Sequence, residues 1–114
     1  MRPNDELFRA YIDVWNDGAV GRLHDVLAPT YEGHMRGTVR EERDQDALRD
    51  SIADFRRRFP EVRFAVIEQM GAGDRVASRL SAIRGGEEIA VGMNFSRWRA
   101  GRLAEEWALW EPII

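Results

Sequence analysis

The 114-residue chain contains no cysteine. That excludes disulfides, thiol nucleophiles and thiolate metal sites. Lysine is absent too, and all 17 basic residues are arginine. A Schiff base needs an amine that can lose its proton, which arginine cannot supply, so lysine-dependent aldolase and pyridoxal chemistry are excluded. No apolar run approaches the ~20 residues of a membrane span, and the segment Met1 to Phe8 lacks the apolar stretch of a signal peptide. A cytoplasmic location and no membrane partner are therefore expected. The formal charge of -3 offers no basic footprint for nucleic acid.

Hydrophobic residues at 44% and charged residues at 32% give the balance of a soluble globular protein. At this length one domain over residues 1–114 is expected, burying roughly two thirds of its unfolded surface. The first half of the chain has helical periodicity. Leu7, Phe8, Tyr11, Val14 and Trp15 recur at helical spacing behind a cap at Asn4 or Asp5, and Asn16-Asp17-Gly18 ends the run. Leu23, Val26 and Leu27 predict a second short helix that Pro29 stops, followed by a short strand over Thr30 to Met35 and a polar loop over residues 37–43. A third helix, capped by Asp44 or Asp46, carries Leu48, Ile52, Phe55 and Phe59 and stops at Pro60. The run Arg56-Arg57-Arg58 beside that stripe reads as a solvated face.

Beyond Pro60 the period drops to two. Glu61–Met70, Arg75–Arg84, Glu87–Trp98 and Arg102–Glu111 predict strands joined by short glycine-bearing turns. Turns this short force consecutive antiparallel pairing. Helices first and an antiparallel sheet after make an α+β domain. Both faces of the last strand are apolar, with Leu103, Trp107 and Leu109 on one side and Ala104, Ala108 and Trp110 on the other. A second sheet is the simplest cover for the outer face, so a homodimer is expected.

Several short words occur in order along nearly the whole chain: Trp15-Asn16; Leu27-Ala28-Pro29-Thr30-Tyr31 with His34; Phe59-Pro60; Gly73-Asp74-Arg75-Val76 with Arg79; and Gly101-Arg102-Leu103-Ala104-Glu105-Glu106-Trp107-Ala108-Leu109-Trp110-Glu111. In this order they resemble the SnoaL-like polyketide cyclases, within the nuclear-transport-factor-2-like superfamily. The resemblance implies a cone-shaped α+β fold, a curved antiparallel sheet wrapped around three N-terminal helices to enclose a pocket. Two departures stand out: the family's terminal Asp is Glu111 here, and the middle hairpin around Gly85-Gly86 is shorter than usual.

Cyclases of this family close a polyketide ring by intramolecular aldol chemistry without metal or cofactor, so none is expected here. The reaction needs a base to take a C–H proton and a donor to stabilise the enolate. By position Glu111 is the candidate acid/base carboxylate and His34 the second candidate, as proton carrier or hydrogen-bond donor. Trp15, Tyr31, Met35, Met93, Phe95 and Trp107 are the expected pocket lining. Arg79, Asn94 and Glu106 then fall on the opposite face, with Arg79 and Glu106 placed to pair there. Glu32 and His34 alternate on one strand, but two ligands without a third make no metal site. The expected partner is a hydrophobic small molecule, taken either by a cofactor-free cyclase or isomerase working through enolisation or by a non-catalytic binding module. A protein-interaction domain using the sheet is a third reading.

Overall fold

A computed structural model of the protein describes residues 2–36 and 43–113. Helix α1 (Asn4–Asp17) buries Phe8, Tyr11, Ile12 and Val14. It ends at Gly18, whose φ of 68° is the left-handed cap geometry that glycine adopts without strain. Its start differs from the expectation: Pro3 sits at the N-cap, and Asn4 Nδ2 donates instead to the Gly73 carbonyl at 3.2 Å. The second helix is shorter than its pattern suggests. A 3-10 turn (Val20–Arg22) leads into α2 (Leu23–Val26), and Leu27 already belongs to strand β1 (Leu27–Arg36). Pro29 therefore lies inside a strand. The strand is at the sheet edge and its register shifts between Leu27 and Glu32, so the missing N–H costs no ladder bond. All of the polar loop expected over residues 37–43 except Arg43 lies outside the described residues.

Helix α3 (Gln45–Arg58) is capped by the Asp44 side chain, which accepts from the Ala47 N–H at 2.9 Å, and it buries Leu48, Ser51 and Ile52. Four strands follow: β2 (Val62–Ala72), β3 (Arg75–Arg84), β4 (Glu87–Arg99) and β5 (Arg102–Pro112). The sheet runs β1-β5-β4-β3-β2. Strands β2 to β5 pair antiparallel, as expected, but β1 joins β5 in parallel. The pairing of the short first strand, left open by the sequence, is parallel. The intervening α3 and three strands supply the long return that a parallel pair requires. The curved sheet wraps around the helices as the expected α+β cone, and Phe8, Tyr11, Leu27, Tyr31, Ile52, Val76, Trp98 and Leu103 form much of its core.

The end of α1 is fastened to the other edge of the sheet. Asn16 Nδ2 donates to the Phe64 carbonyl at 2.9 Å, and its Oδ1 accepts from the Phe64 N–H at 2.7 Å. One side chain thus pairs with β2 as a neighbouring strand would, satisfying both groups of an edge residue. Among the described residues, no helix is long and apolar enough to cross a membrane.

The faces of the sheet are the reverse of those expected. Inward point Val76, Ser78, Leu80 and Ala82 of β3, Gly92, Asn94, Ser96 and Trp98 of β4, and Ala104, Glu106 and Ala108 of β5. Outward point Met93 (54% exposed), Phe95 (42%), Trp107 (38%) and Leu109 (55%). Met93, Phe95 and Trp107 therefore do not line the interior. The expectation assumed that the bulkier apolar set faces inward. The cone instead encloses a space, and small side chains on its inner wall keep that space open.

Candidate active site

Between the sheet and the helices lies a cavity of about 190 Å³. Tyr11, Ile12 and Trp15 of α1, Phe55 and Phe59 at the end of α3, Phe64 of β2 and Trp110 of β5 form its aromatic and aliphatic walls. The aromatic rings pack edge-on and tilted: Trp15 meets Phe55 and Phe64 at 6.1 and 5.8 Å, and Phe64 meets Trp110 at 5.3 Å. Trp110 lies flat over Gly92, where an added Cβ would meet the indole at 2.8 Å. Glycine there lets the ring settle against the wall, leaving the cavity clear.

Two carboxylates border this cavity: Asp54, ion-paired at its rim, and Glu106, buried in its inner wall. Glu106 is 1% exposed and borders the cavity together with Asn94. Its Oε2 accepts from the hydroxyls of Tyr11 and Tyr31, each at 2.6 Å, and its Oε1 accepts from Asn94 Nδ2 at 2.8 Å. Trp15 Nε1 in turn donates to the Tyr11 hydroxyl at 3.0 Å. Burial raises the Glu106 carboxyl above its ordinary pKa, and the hydrogen bonds from Tyr11, Tyr31 and Asn94 only partly oppose that rise. The two oxygens are not equivalent. Oε2 carries two tyrosine hydroxyls, whereas Oε1 carries the single Asn94 bond and keeps a lone pair for another proton.

The candidates read from sequence are dispersed. Trp15 and Met35 line the cavity, and Tyr31 binds Glu106 from beside it. His34 and Glu111 do not line it. Along β1, Tyr31 and Met35 share a parity that His34 does not, so His34 projects from the outer face. There it stacks on Trp107 with ring centroids 5.3 Å apart and meets Glu105 Oε2 at 2.9 Å. Glu111, opposite Val91 near the end of β5, is exposed. The placement of both at the cavity is corrected. So is the pairing of Arg79 with Glu106: Arg79 lies outside against Glu68 at 3.2 Å, while Glu106 and Asn94 point inward.

Sequence reasoning passed over Glu106, Asn94 and Tyr11 as site residues. A signal was present in β5, where Glu106 is the only charged residue in the alternating series Ala104, Glu106, Ala108, Trp110. A lone carboxylate among small apolar residues of one parity is unsuited to a solvated face and suited to a cavity wall.

The description of the family model that matches residues 5–113 is SnoaL-like polyketide cyclase. The chain belongs to the SnoaL-like polyketide cyclase family. Among solved structures it is similar to IdmH of Streptomyces antibioticus, described as a candidate polyketide cyclase, at 22% identity and a TM-score of 0.83 over 96% of this chain and 93% of that one. A loop-truncated variant of IdmH aligns over the same shares at 24% identity, also with a TM-score of 0.83. A SnoaL-like polyketide cyclase of Agrobacterium tumefaciens aligns at 17% identity and a TM-score of 0.78, over 97% of this chain and 93% of that one. At these identities the structural likeness speaks for the fold. No curated protein matches the chain by sequence.

The raised Glu106 carboxyl has a consequence for stability. A proton held more tightly in the folded state stabilises it fully below the unfolded carboxyl pKa, roughly 4.3, and that contribution is lost as pH rises through the folded value. Glu106→Gln removes the titration while retaining the shape. Urea denaturation from pH 4 to pH 8 should therefore show the variant gaining stability relative to wild type as pH rises. A difference that stays flat, or moves the other way, contradicts the raised carboxyl.

Proposed function

We propose that the protein is a cofactor-free enzyme that enolises a hydrophobic carbonyl compound in this cavity, as a cyclase or isomerase of the intramolecular aldol type. The observation that carries the reading is Glu106, a buried carboxylate with a raised pKa at the inner wall of a mainly apolar cavity. Glu106 Oε1 takes the proton from the carbon beside the carbonyl, and the C–H electron pair moves into the new C=C bond as the carbonyl oxygen becomes an enolate. Negative charge thereby leaves Glu106 for the substrate oxygen. The Tyr11 hydroxyl, on the cavity wall and supported by Trp15 Nε1, can follow that charge by turning its hydrogen bond from Oε2 to the enolate. The enolate carbon then attacks a second carbonyl of the same molecule, and the alkoxide formed takes the proton back from Glu106; in a conjugated enone, Glu106 instead returns that proton to the far carbon of the dienolate, moving the double bond.

We also propose that two copies pair through the outer face of the sheet. Met93, Phe95, Trp107 and Leu109 form an exposed apolar patch there, of the kind that marks an interface.

Two measurements test these readings. In deuterium oxide, wild type should speed exchange at C1 of 2-tetralone, a hydrophobic ketone with an acidic C–H, as followed by proton NMR. Glu106→Gln should slow the catalysed exchange by roughly 10²–10⁴-fold, while 2-tetralone affinity changes little. Binding without any acceleration would instead make the protein a non-catalytic binding module. In sedimentation at micromolar concentration the species should weigh about twice the 13.1 kDa chain, and Leu109→Glu should return it to monomer. A wild-type monomer under those conditions rules the pairing out.

A further inference from the structure

The run Arg56-Arg57-Arg58 is not the uniform solvated face its sequence suggests. The structure divides it into three different positions. Arg56 turns back towards the fold, donating to the carbonyls of Val62 at 2.5 Å and Asn16 at 3.4 Å. Arg57 closes a short ion pair with Asp54 and does not border the cavity. Arg58 does border the cavity, beside Asp54, and among the described residues that line it Arg58 is the only cation.

Charge at this rim is not balanced. Arg58 reaches the second oxygen of Asp54 at 3.4 Å, but the first oxygen of that carboxylate is already held closely by Arg57. Among the described residues, these two guanidiniums share one carboxylate, so the Arg57–Asp54–Arg58 group carries a net positive charge at the water-facing side of the cavity. Arg58 is 49% exposed along its side chain, and its guanidinium carbon lies 5.6 Å above the Phe59 ring, which also lines the cavity. The guanidinium is therefore supported on the rim by an aromatic face while its remaining N–H donors stay available. Glu106, by contrast, sets an acidic group in the inner wall, where a second anion would be repelled.

We infer that Arg58 is a specificity-determining residue that receives a carboxylate at the mouth of the cavity, so that the ligand is an amphipathic acid with its apolar, carbonyl-bearing body inside. The inference rests on the proposed apolar-ligand cavity and fixes which end of the ligand enters first. The body goes in towards Glu106, and the carboxylate stays at the rim, where it remains partly hydrated and is bound by the planar guanidinium fork.

A matched pair of probes tests this: 2-naphthylacetate and the uncharged 2-naphthylacetamide, which have nearly the same shape. Binding is read by calorimetry and by fluorescence of the cavity tryptophans at 20 mM salt. Wild type should bind the acid about 10-fold more tightly than the amide, between the strength of an exposed ion pair and that of a buried charged hydrogen bond. Arg58→Gln should abolish that preference without weakening the amide. Arg57→Gln leaves Asp54 to Arg58 alone and should reduce the preference without abolishing it, and 500 mM salt should shrink it in wild type. Equal binding of acid and amide by wild type overturns the role of Arg58 while leaving the apolar cavity intact as a ligand site. A preference that survives Arg58→Gln overturns it as well. Failure of both probes to bind overturns the apolar-ligand reading, and this inference with it.

Discussion

The interior of this cone is organised around one buried carboxylate. An ionisable group out of water costs free energy unless hydrogen bonds replace its hydration, and Glu106 recruits its partners from three separate elements: Tyr11 of α1, Tyr31 of β1 and Asn94 of β4. The bonds are local at their ends but long in sequence, since Tyr11 and Glu106 are 95 residues apart. The same contacts that make the carboxylate tolerable also fix how the first helix and the edge strand sit on the sheet. Function and fold share these atoms. The desolvation that makes Glu106 costly is the same effect that gives it a base strength suited to abstracting a carbon acid's proton.

The enclosed space explains which side chains face it. In a filled core the bulky apolar set of a strand faces inward, and the sequence of β5 then points to Trp107 and Leu109. Here Ala104, Ala108 and Glu106 face inward, while Gly92 on β4 lets Trp110 lie against the wall. The fold itself was legible, because helical and alternating periods change at Pro60 and glycine turns separate the strands. The order of short words along the chain pointed to the family that residues 5–113 match. The face was not legible, because residue size is informative about burial only when nothing has to be left empty. A parity error of one residue on β4 and β5 thus placed Met93, Phe95, Trp107 and Glu111 inside when they lie outside, whereas Trp15, Tyr31 and Met35, from α1 and β1, were placed correctly.

Other misreadings have equally local causes. Pro29 looked like a helix stop because proline breaks helices, but it is equally compatible with an edge strand that bulges. Three consecutive arginines looked like one solvated face because sequence alone gives no account of what lies opposite each. Asn16, legible in sequence as part of a helix ending and of the Trp15-Asn16 word, proves to fasten that ending to the free edge of β2 through both backbone groups of Phe64. For Asn16 the deciding partner lies far away in sequence, whereas the arginines are sorted by near neighbours, Asp54 and Val62, brought together where α3 turns into β2.

The account stands on the state of the Glu106 carboxyl, and its pKa can be measured directly. Carbon-13 labelling of glutamate side chains, with Glu106→Gln used to assign the resonance, allows that carboxyl to be titrated by NMR in the folded protein. The account predicts a midpoint above the ordinary glutamate value of roughly 4.3. A midpoint at or below that value would mean that the tyrosine and asparagine donors outweigh burial. Glu106 would then be a structural anion, too weak a base to enolise a carbonyl compound.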